Sequence, residues 1–355
     1  MESSVTFTGR PQGKVLPDEA GVGHKHSACG HRRAKTGLPE KLVRKVSDVP
    51  PLHPYAEKDP DLCISAVHRG QRKLLNTEIE FLTRVLETIG PERCRRATIV
   101  YAGSAPGLHL HLLLSPLAFR GVFGEWHLYD DPKRFDKRLR SMTSDDHVKI
   151  VPKEHARKAR PSTPLGYFDA GIAGSYSKNE EDVIFISDIR TDDTSNRQIA
   201  TDNELTRQWV KMMRPTAAMV KFRLPFMESP RAPPKVHVVP PGTLVLQTWA
   251  PTRSAETRLW VDVPALNKNK ANMIEDLDYE TRMNTFNQFI RPRTFEVGGA
   301  ATPPRGECGC YDHTAERVIW AKAIRALRGR VTRADVTEAI HKVERAFPTS
   351  KKASR

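Results

Sequence analysis

The sequence has no apolar run approaching the roughly 18 residues that a membrane-spanning helix needs. Its first residues, MESSVTFTGRPQGKV, lack the apolar core of a secretory signal, so a soluble, intracellular protein is expected. Cysteine is scarce. Five residues, an odd number scattered over 355, do not describe a disulfide framework and fit a reducing compartment. No CxxC pair occurs: His24, His26, Cys29 and His31 gather in GHKHSACGH, and Cys308, Cys310 and His313 in CGCYDH. Neither cluster has a partner at zinc-finger spacing, so no metal is expected. Acidic residues are outnumbered, 42 against 57 Lys and Arg, which gives a formal net charge of +15. Such an excess favours an anionic polymer as partner, nucleic acid ahead of an acidic membrane surface.

A periodic apolar pattern is missing from residues 1 to about 50, which are rich in Gly, Ser, Lys, Arg and His. Such a segment cannot offset the entropy lost on ordering, and a basic disordered arm is expected over residues 1–50. From Leu74 the register becomes helical, with Leu75, Ile79, Leu82, Leu86 and Ile89 three or four apart, and Thr77 with Glu80 resembles a capping box. Short β-branched runs then alternate with helical stretches: ATIVYAG, EWHLYDD, HVKIV, DVIFISDI, NELTRQWVKMM, AAMVKFRLPF, TLVLQTWA and TRLWVDV. This rhythm predicts an α/β fold, with a mainly parallel central sheet, helices on both faces and closing strands that pair antiparallel. The Pro-rich ESPRAPPKVHVVPPG and GGAATPPRGECG are expected as loops rather than elements. After Tyr311, the spacing of Trp320, Ala323, Ile324 and Leu327, and then of Val336, Ile340 and Val343, predicts two terminal helices. The expected division is the arm 1–50, an α/β domain over 51–295, and a loop with terminal helices and a basic tail over 296–355.

The dinucleotide fingerprint G-x-G-x-x-G is also absent. VYAGSAPGLHL is a strand entering a turn with Gly103 and Gly107 four apart. A pyrophosphate wants the closer glycine pair and a free helix N-terminus, whereas a methyl donor without phosphate needs only close backbone approach. A tight turn that needs glycine for its dihedrals is the plainer alternative. Asp130 closes EWHLYDD, where a strand-end acid about twenty residues on can accept both hydroxyls of an adenosine ribose. Loop and acid together suggest an adenosine pocket.

Four charged residues sit beside strand-like runs. Asp188 ends DVIFISDI, at the carboxyl edge where open α/β sheets bind ligands, although an ordinary cap aspartate would look the same. Lys221 interrupts AAMVKFRLPF, where it is costly unless its ammonium reaches a cleft, a carboxylate or solvent. Glu256 lies in SAETRLW and Lys73 in GQRKLL; singly, each reads as a solvated charge. Two lysines with two acids suit removal of a proton from a hydroxyl, provided burial or a second cation lowers a lysine from its usual pKa of ~10.4.

GQRKLL, VYAGSAPGLHL, FISDIR, VKFRLPF, QTWAPTRSAETRL and DYETRMN, in this order, resemble segments of the poxvirus-type cap-specific mRNA 2′-O-methyltransferases, whose poxvirus member also serves as the processivity-giving subunit of poly(A) polymerase. The resemblance implies a Rossmann-like S-adenosylmethionine-dependent methyltransferase over residues 51–295. Its Lys-Asp-Lys-Glu tetrad falls on Lys73, Asp188, Lys221 and Glu256, with Lys221 as general base toward a ribose 2′-hydroxyl. It implies S-adenosyl-L-methionine held by Gln71, Tyr101, Gly103, Gly107, His109 and Asp130. It also implies a cap pocket of Tyr55 and Phe226 stacking on 7-methylguanine, with Glu228 and Glu280 accepting hydrogen bonds from the base edge; a cationic purine stacks better than a neutral one. Arg190, Arg223 and Arg258 are implied near the RNA path. The chain departs from the family at Pro132 and Lys133, where an arginine follows the strand-end acid, at Lys153, Glu154 and His155, which replace apolar residues, and at Arg253, which replaces a tyrosine. The implied partners are capped mRNA and a poly(A) polymerase catalytic subunit or other transcription and capping proteins, without a membrane. The implied setting is a virion or cytoplasmic viral factory, or a nucleus for a protist source. A second reading is a cap- or RNA-binding processivity subunit with little or no methyl transfer; the glycine spacing disfavours a nicotinamide-dependent oxidoreductase.

Overall fold

Five consecutive residues, VIFIS over Val183–Ser187, are all buried, which a strand achieves only at the centre of a sheet covered on both faces. In a computed structural model, which describes residues 37–53, 70–142, 147–151, 168–192, 195–227, 232–251 and 253–347, this segment is β4. The other strands are β1 (Thr98–Ala102), β2 (Glu125–Tyr129), β3 (Val148–Ile150), β5 (Ala217–Phe222), β6 (Val236–Val239), β7 (Gly242–Val245), β8 (Thr257–Val261) and β9 (Asn272–Glu275). Seven of them form one sheet in the order β3-β2-β1-β4-β5-β8-β7. The first five are parallel, while β8 runs antiparallel to both β5 and β7. The expected Rossmann-like α/β architecture is thus present.

The helices are α1 (Gly70–Ile89), α2 (Pro91–Cys94), α3 (Leu110–Leu113), α4 (Lys137–Met142), α5 (Ala170–Ser175), α6 (Asn196–Met213), α7 (Val263–Asn267), α8 (Asp276–Thr285), α9 (Tyr311–Arg328) and α10 (Arg333–Ala346). Alternate strand side chains separate into two cores. Val100, Phe185 and Val220 join Trp209, Val210 and Met213 of α6 on one face. Ile99, Ile184 and Met219 join Leu75, Ile79 and Leu82 of α1 and Ile319, Trp320 and Ala323 of α9 on the other. Because β1 has β2 on one side and β4 on the other, the chain reverses direction across the sheet there, and a crevice opens at the carboxyl ends of β1 and β4. Among the described residues, no helix is long and apolar enough to cross a membrane.

Three expectations need correction. The capping box is not formed, because α1 begins at Gly70: Thr77 lies inside the helix and donates back to the Lys73 carbonyl at 2.7 Å, while Glu80 pairs with Arg44. The end of the basic arm is packed. Val43, Val46 and Val49, three apart, share one face around a 3₁₀ turn at Val46–Asp48, and all three are buried in the α6-side core. Residues 1–36 lie outside the described residues. Finally, the Pro-rich stretch contains a strand, since Val236–Val239 pairs antiparallel with Asn272–Glu275. Pro240 and Pro241 fall just past the paired residues, where the missing donor costs no ladder bond.

The terminal helices are welded to α1 by charge as well as apolar contact. The Arg72 guanidinium and the Glu316 carboxylate, both 0% exposed, pair bidentately, with Arg72 Nε donating to Glu316 Oε1 at 2.7 Å. Breaking such a pair from one side typically costs about 3–5 kcal/mol, because the other charge stays buried. Glu316→Ala is therefore expected to lower unfolding free energy by roughly that amount, read from urea denaturation. An unchanged midpoint would mean that Arg72 is solvated rather than buried.

Candidate active site

The glycine turn brings two strand ends together. Gly103, with φ +79°, follows β1 and donates to the Tyr129 carbonyl at 2.9 Å. A Cβ at this position would lie 2.9 Å from the Ile189 nitrogen and 3.0 Å from the Asp188 carbonyl carbon, so glycine permits the close approach of the segment after β4. Gly107, with φ +64°, leaves no room either: a Cβ would stand 2.8 Å from the Leu139 side chain and 3.1 Å from the Ser104 oxygen. Asp130, just after β2, clasps this turn from the side. Its carboxylate accepts from the Ala105 nitrogen at 3.0 Å and the Asp131 nitrogen at 2.7 Å. Arg134, the residue after Lys133, reaches the same carboxylate at 3.8 Å, two residues beyond Pro132, which stands in place of the expected arginine.

Gln71 belongs to the same group, since its Oε1 accepts from the His109 nitrogen at 3.2 Å and contacts His109 Nδ1 at 2.8 Å. The other ring nitrogen of His109 meets Glu78 at 3.0 Å, and the Tyr101 hydroxyl donates to the same Glu78 oxygen at 2.6 Å. All three of these side chains are buried, so Tyr101 and His109 support the turn from beneath. Burial, then the neighbouring Glu78, raises the Tyr101 pKa well above its ordinary value. Sequence reading missed Glu78. The available signal was its place seven residues after Gln71, on the same helix face. Its second oxygen has no hydrogen-bond partner among the described residues.

The structure brings Lys73, Asp188, Lys221 and Glu256 together. Lys73 Nζ contacts Glu256 Oε1; Lys221 Nζ lies 3.2 Å from Glu256 Oε2 and 3.8 Å from Asp188 Oδ1. A fifth charge completes the cluster. Arg258 of β8 stands directly opposite Lys221 of β5, an unfavourable cross-strand pair unless anions intervene. Asp188 at 2.6 Å and Glu256 at 3.6 Å supply them. Arg258 also donates to Gln247 Oε1 at 3.0 Å, and Gln247 donates to Glu256 at 3.1 Å. At 2% exposure Arg258 is buried within the cluster; two-residue alternation with Glu256 along the strand was the signal for this place.

Three cations therefore share two carboxylates. Burial lowers the Lys73 pKa, with Arg258 and Lys221 reinforcing it against the pull of Glu256 and Asp188. Burial would raise Glu256, but Lys73, Lys221 and Arg258 outweigh it and hold the carboxyl well below its usual range. The same contest, won by Lys221 and Arg258, lowers Asp188. Such a site has a physical reason to shed a proton from a lysine.

Near this cluster, Phe226 is 37% exposed, with the Arg223 guanidinium 4.0 Å over its ring. Asn196 holds the segment by accepting from the Phe226 nitrogen at 2.8 Å and donating to its carbonyl at 2.7 Å. Glu280 of α8 accepts from the next residue, Met227, at 3.0 Å, and burial raises its pKa. Arg223 is buried, and so is the Arg190 side chain, which lies 3.8 Å from Asp202 and donates to Asn203 at 3.3 Å; neither is presented openly to an RNA chain. Tyr55, Glu228, Lys153, Glu154 and His155 lie outside the described residues. Cys308, Cys310 and His313, which spacing gave no reason to join, do converge.

A sequence profile described as "Poly A polymerase regulatory subunit" matches residues 55–297, about two thirds of the chain. The chain belongs to the poly(A) polymerase regulatory subunit family. The cap-specific mRNA (nucleoside-2′-O-)-methyltransferase of Fowlpox virus (strain NVSL) is 28% identical over 236 residues, 63% of this chain and 68% of the relative. The protein of the same name from Myxoma virus (strain Lausanne) is 30% identical over 234 residues, 64% of this chain and 62% of the relative. The chain thus spans somewhat under two thirds of the Myxoma relative's length and slightly more of the Fowlpox one's. The profile match includes the glycine turn, all five clustered charges, Phe226 and Glu280, while α9 and α10 lie beyond it.

In this member of the family the charge cluster makes stability pH-dependent. A depressed carboxyl contributes stability that is complete above its unfolded pKa, ~4, and is lost as pH falls through its folded pKa. Arg258→Leu weakens that depression. We expect a loss of about 3 kcal/mol at pH 7 together with a shallower further loss as pH falls below ~4, measured by urea titration across pH. Parallel pH profiles for the two proteins would remove Arg258 from the cluster's energetics.

Proposed function

We propose that the protein transfers a methyl group from S-adenosyl-L-methionine to the ribose 2′-oxygen of a nucleotide adjacent to the 7-methylguanosine cap of mRNA. The carrying observation is the sharing of two carboxylates by Lys73, Lys221 and Arg258 beside the glycine turn at the sheet's carboxyl edge. The names of the Fowlpox and Myxoma relatives support the same reaction.

The turn suits a donor without phosphate. Gly103 and Gly107 bring bare backbone to the crevice, and α3 behind them, only four residues long, offers too little dipole for a pyrophosphate. Gln71, Gly103, Gly107 and Asp130 would hold the donor, with Tyr101 and His109 supporting the turn from below. When bound, the donor supplies a sulfonium-activated methyl group, so the protein's work is alignment and proton removal.

Lys221 is the general base in this reading, because Lys73 is engaged directly by Glu256 while the Lys221 contacts are longer, at 3.2 and 3.8 Å. Its neutral amine takes the hydroxyl proton as the ribose oxygen takes the methyl. The ammonium that results is held by Asp188 and Glu256, which are already ionised. Lys73 and Arg258 keep the site from accumulating protons beforehand. Phe226 offers the stacking surface for the cationic purine, with Glu280 near its edge; Tyr55 and Glu228 are the further cap residues that the family resemblance implies.

A second reading, a cap- or RNA-binding subunit that assists a poly(A) polymerase, draws on the family's description and the net charge of +15. The decisive assay is transfer of labelled methyl to capped, 2′-unmethylated RNA, with nuclease mapping. Lys221→Ala is expected to lower transfer by about 10²–10⁴-fold with donor binding unchanged. The wild-type rate should fall as pH is lowered, since the base must be neutral. Tight binding of capped RNA with no label at any pH would favour the polymerase subunit. Phe226→Ala should reduce the preference for capped over uncapped RNA by roughly 30-fold, as expected for a desolvated cation–π contact of about 2 kcal/mol. An unchanged ratio in competition binding would move the cap pocket elsewhere.

A further inference from the structure

We propose that Cys308, Cys310 and His313 form a binding site for a divalent metal of the zinc class, which staples the Pro- and Gly-rich loop after residue 296 to the start of α9. Their ligand atoms, two sulfurs and a ring nitrogen, all lie within 4.8 Å of one another. Around zinc, Zn–S bonds of ~2.3 Å and Zn–N bonds of ~2.0 Å put neighbouring ligand atoms roughly 3.5–3.8 Å apart, so small side-chain rotations bring the trio onto one ion. Cys310 Sγ is already 3.1 Å from His313 Nδ1.

Backbone donors and a helix start surround the sulfurs. The Cys310 nitrogen donates to Cys308 Sγ at 3.4 Å, a bond that stabilises negative sulfur. Cys310 is the N-cap of α9, an 18-residue helix whose positive end faces the cluster. The backbone is held independently: the Phe295 nitrogen donates to the Gly309 carbonyl at 2.8 Å, and Thr294 bridges Cys310. A Cβ on Gly309 would meet Thr294 Cγ2 at 2.8 Å, so the loop is pressed against the preceding segment. A bridge between Cys308 and Cys310, only two residues apart, would be strained. Two soft sulfurs and an imidazole select zinc-class ions over magnesium or calcium. A tetrahedral ion takes its fourth donor from beyond this trio.

The position has consequences for the charge cluster. His313 packs edge-on against Trp249 at 4.8 Å, Trp249 carries the Arg72 guanidinium 4.2 Å over its ring, and Arg72 adjoins Lys73 in the first turn of α1. The Trp249 nitrogen donates to Asp312 at 3.1 Å, although Trp249 has a positive φ of 57°. An ion on His313 would brace this chain of contacts.

The test uses the full-length protein. Zinc is expected to co-purify in near-stoichiometric amount by elemental analysis, and cobalt replacement should produce thiolate-to-cobalt charge-transfer absorption with tetrahedral d–d bands. Chelation should lower the melting temperature. Cys308→Ser with Cys310→Ser should weaken zinc binding by more than about 100-fold, beyond what outer-shell changes cause, in competition with a chromogenic chelator. Should that double variant fail to fold, His313→Gln, which keeps both sulfurs, is expected to shift the cobalt bands. Protein purified without metal that takes up no cobalt, or cobalt bands unchanged in these variants, would overturn the proposal and leave the trio as a thiol–imidazole hydrogen-bond cluster.

Discussion

An excess of buried positive charge governs this structure. Lys73, Lys221 and Arg258 converge on Asp188 and Glu256, and most of these contacts join residues far apart in the sequence. Removing ions from water costs several kcal/mol each after relaxation, and only good geometry with further hydrogen bonds offsets it. The sheet order supplies that geometry. β8 enters antiparallel beside β5, which sets Arg258 against Lys221 and Glu256 at the same edge, while parallel β4 delivers Asp188 between them. The apolar cores on both faces provide the driving force that tolerates such a cluster.

The first turn of α1 distributes this constraint through the molecule. Three successive residues leave the helix in different directions: Gln71 to His109 beside the glycine turn, Arg72 to Glu316 of α9, and Lys73 to Glu256. A single helical turn therefore registers the donor-side loop, the terminal helices and the charge cluster against one another. Asn76 adds a second tie, donating to Thr248 at 3.1 Å and to Glu316 at 2.9 Å. The terminal helices, though beyond the family match, are thus part of the support of the candidate site.

What could be read from the chain follows from which interactions are local. Continuous apolar runs such as VIFIS announce central strands, and the 3.6-residue period announces α1, α9 and α10. The start of α1 was not legible, because GQRK is polar and becomes buried only through partners far away in sequence. Val236–Val239 was hidden by flanking prolines, since local composition does not reveal a strand paired with residues some thirty-five positions later. The valines at 43, 46 and 49 were lost in a basic segment because a short 3₁₀ turn at Val46–Asp48 between non-helical residues fits neither the helix nor the strand period.

The sequence by itself determined the strand and helix rhythm, the glycine turn followed by a strand-end acid, and the types of the four residues that meet at the sheet edge, because periodicity, dihedral demand and the cost of a lysine within an apolar run are properties of short segments. Tertiary structure alone decided that Arg258 joins them, that Glu78 underlies the turn, and that Arg72 binds Glu316. Each of these depends on distances between segments far apart in the chain, which only strand order and helix packing establish.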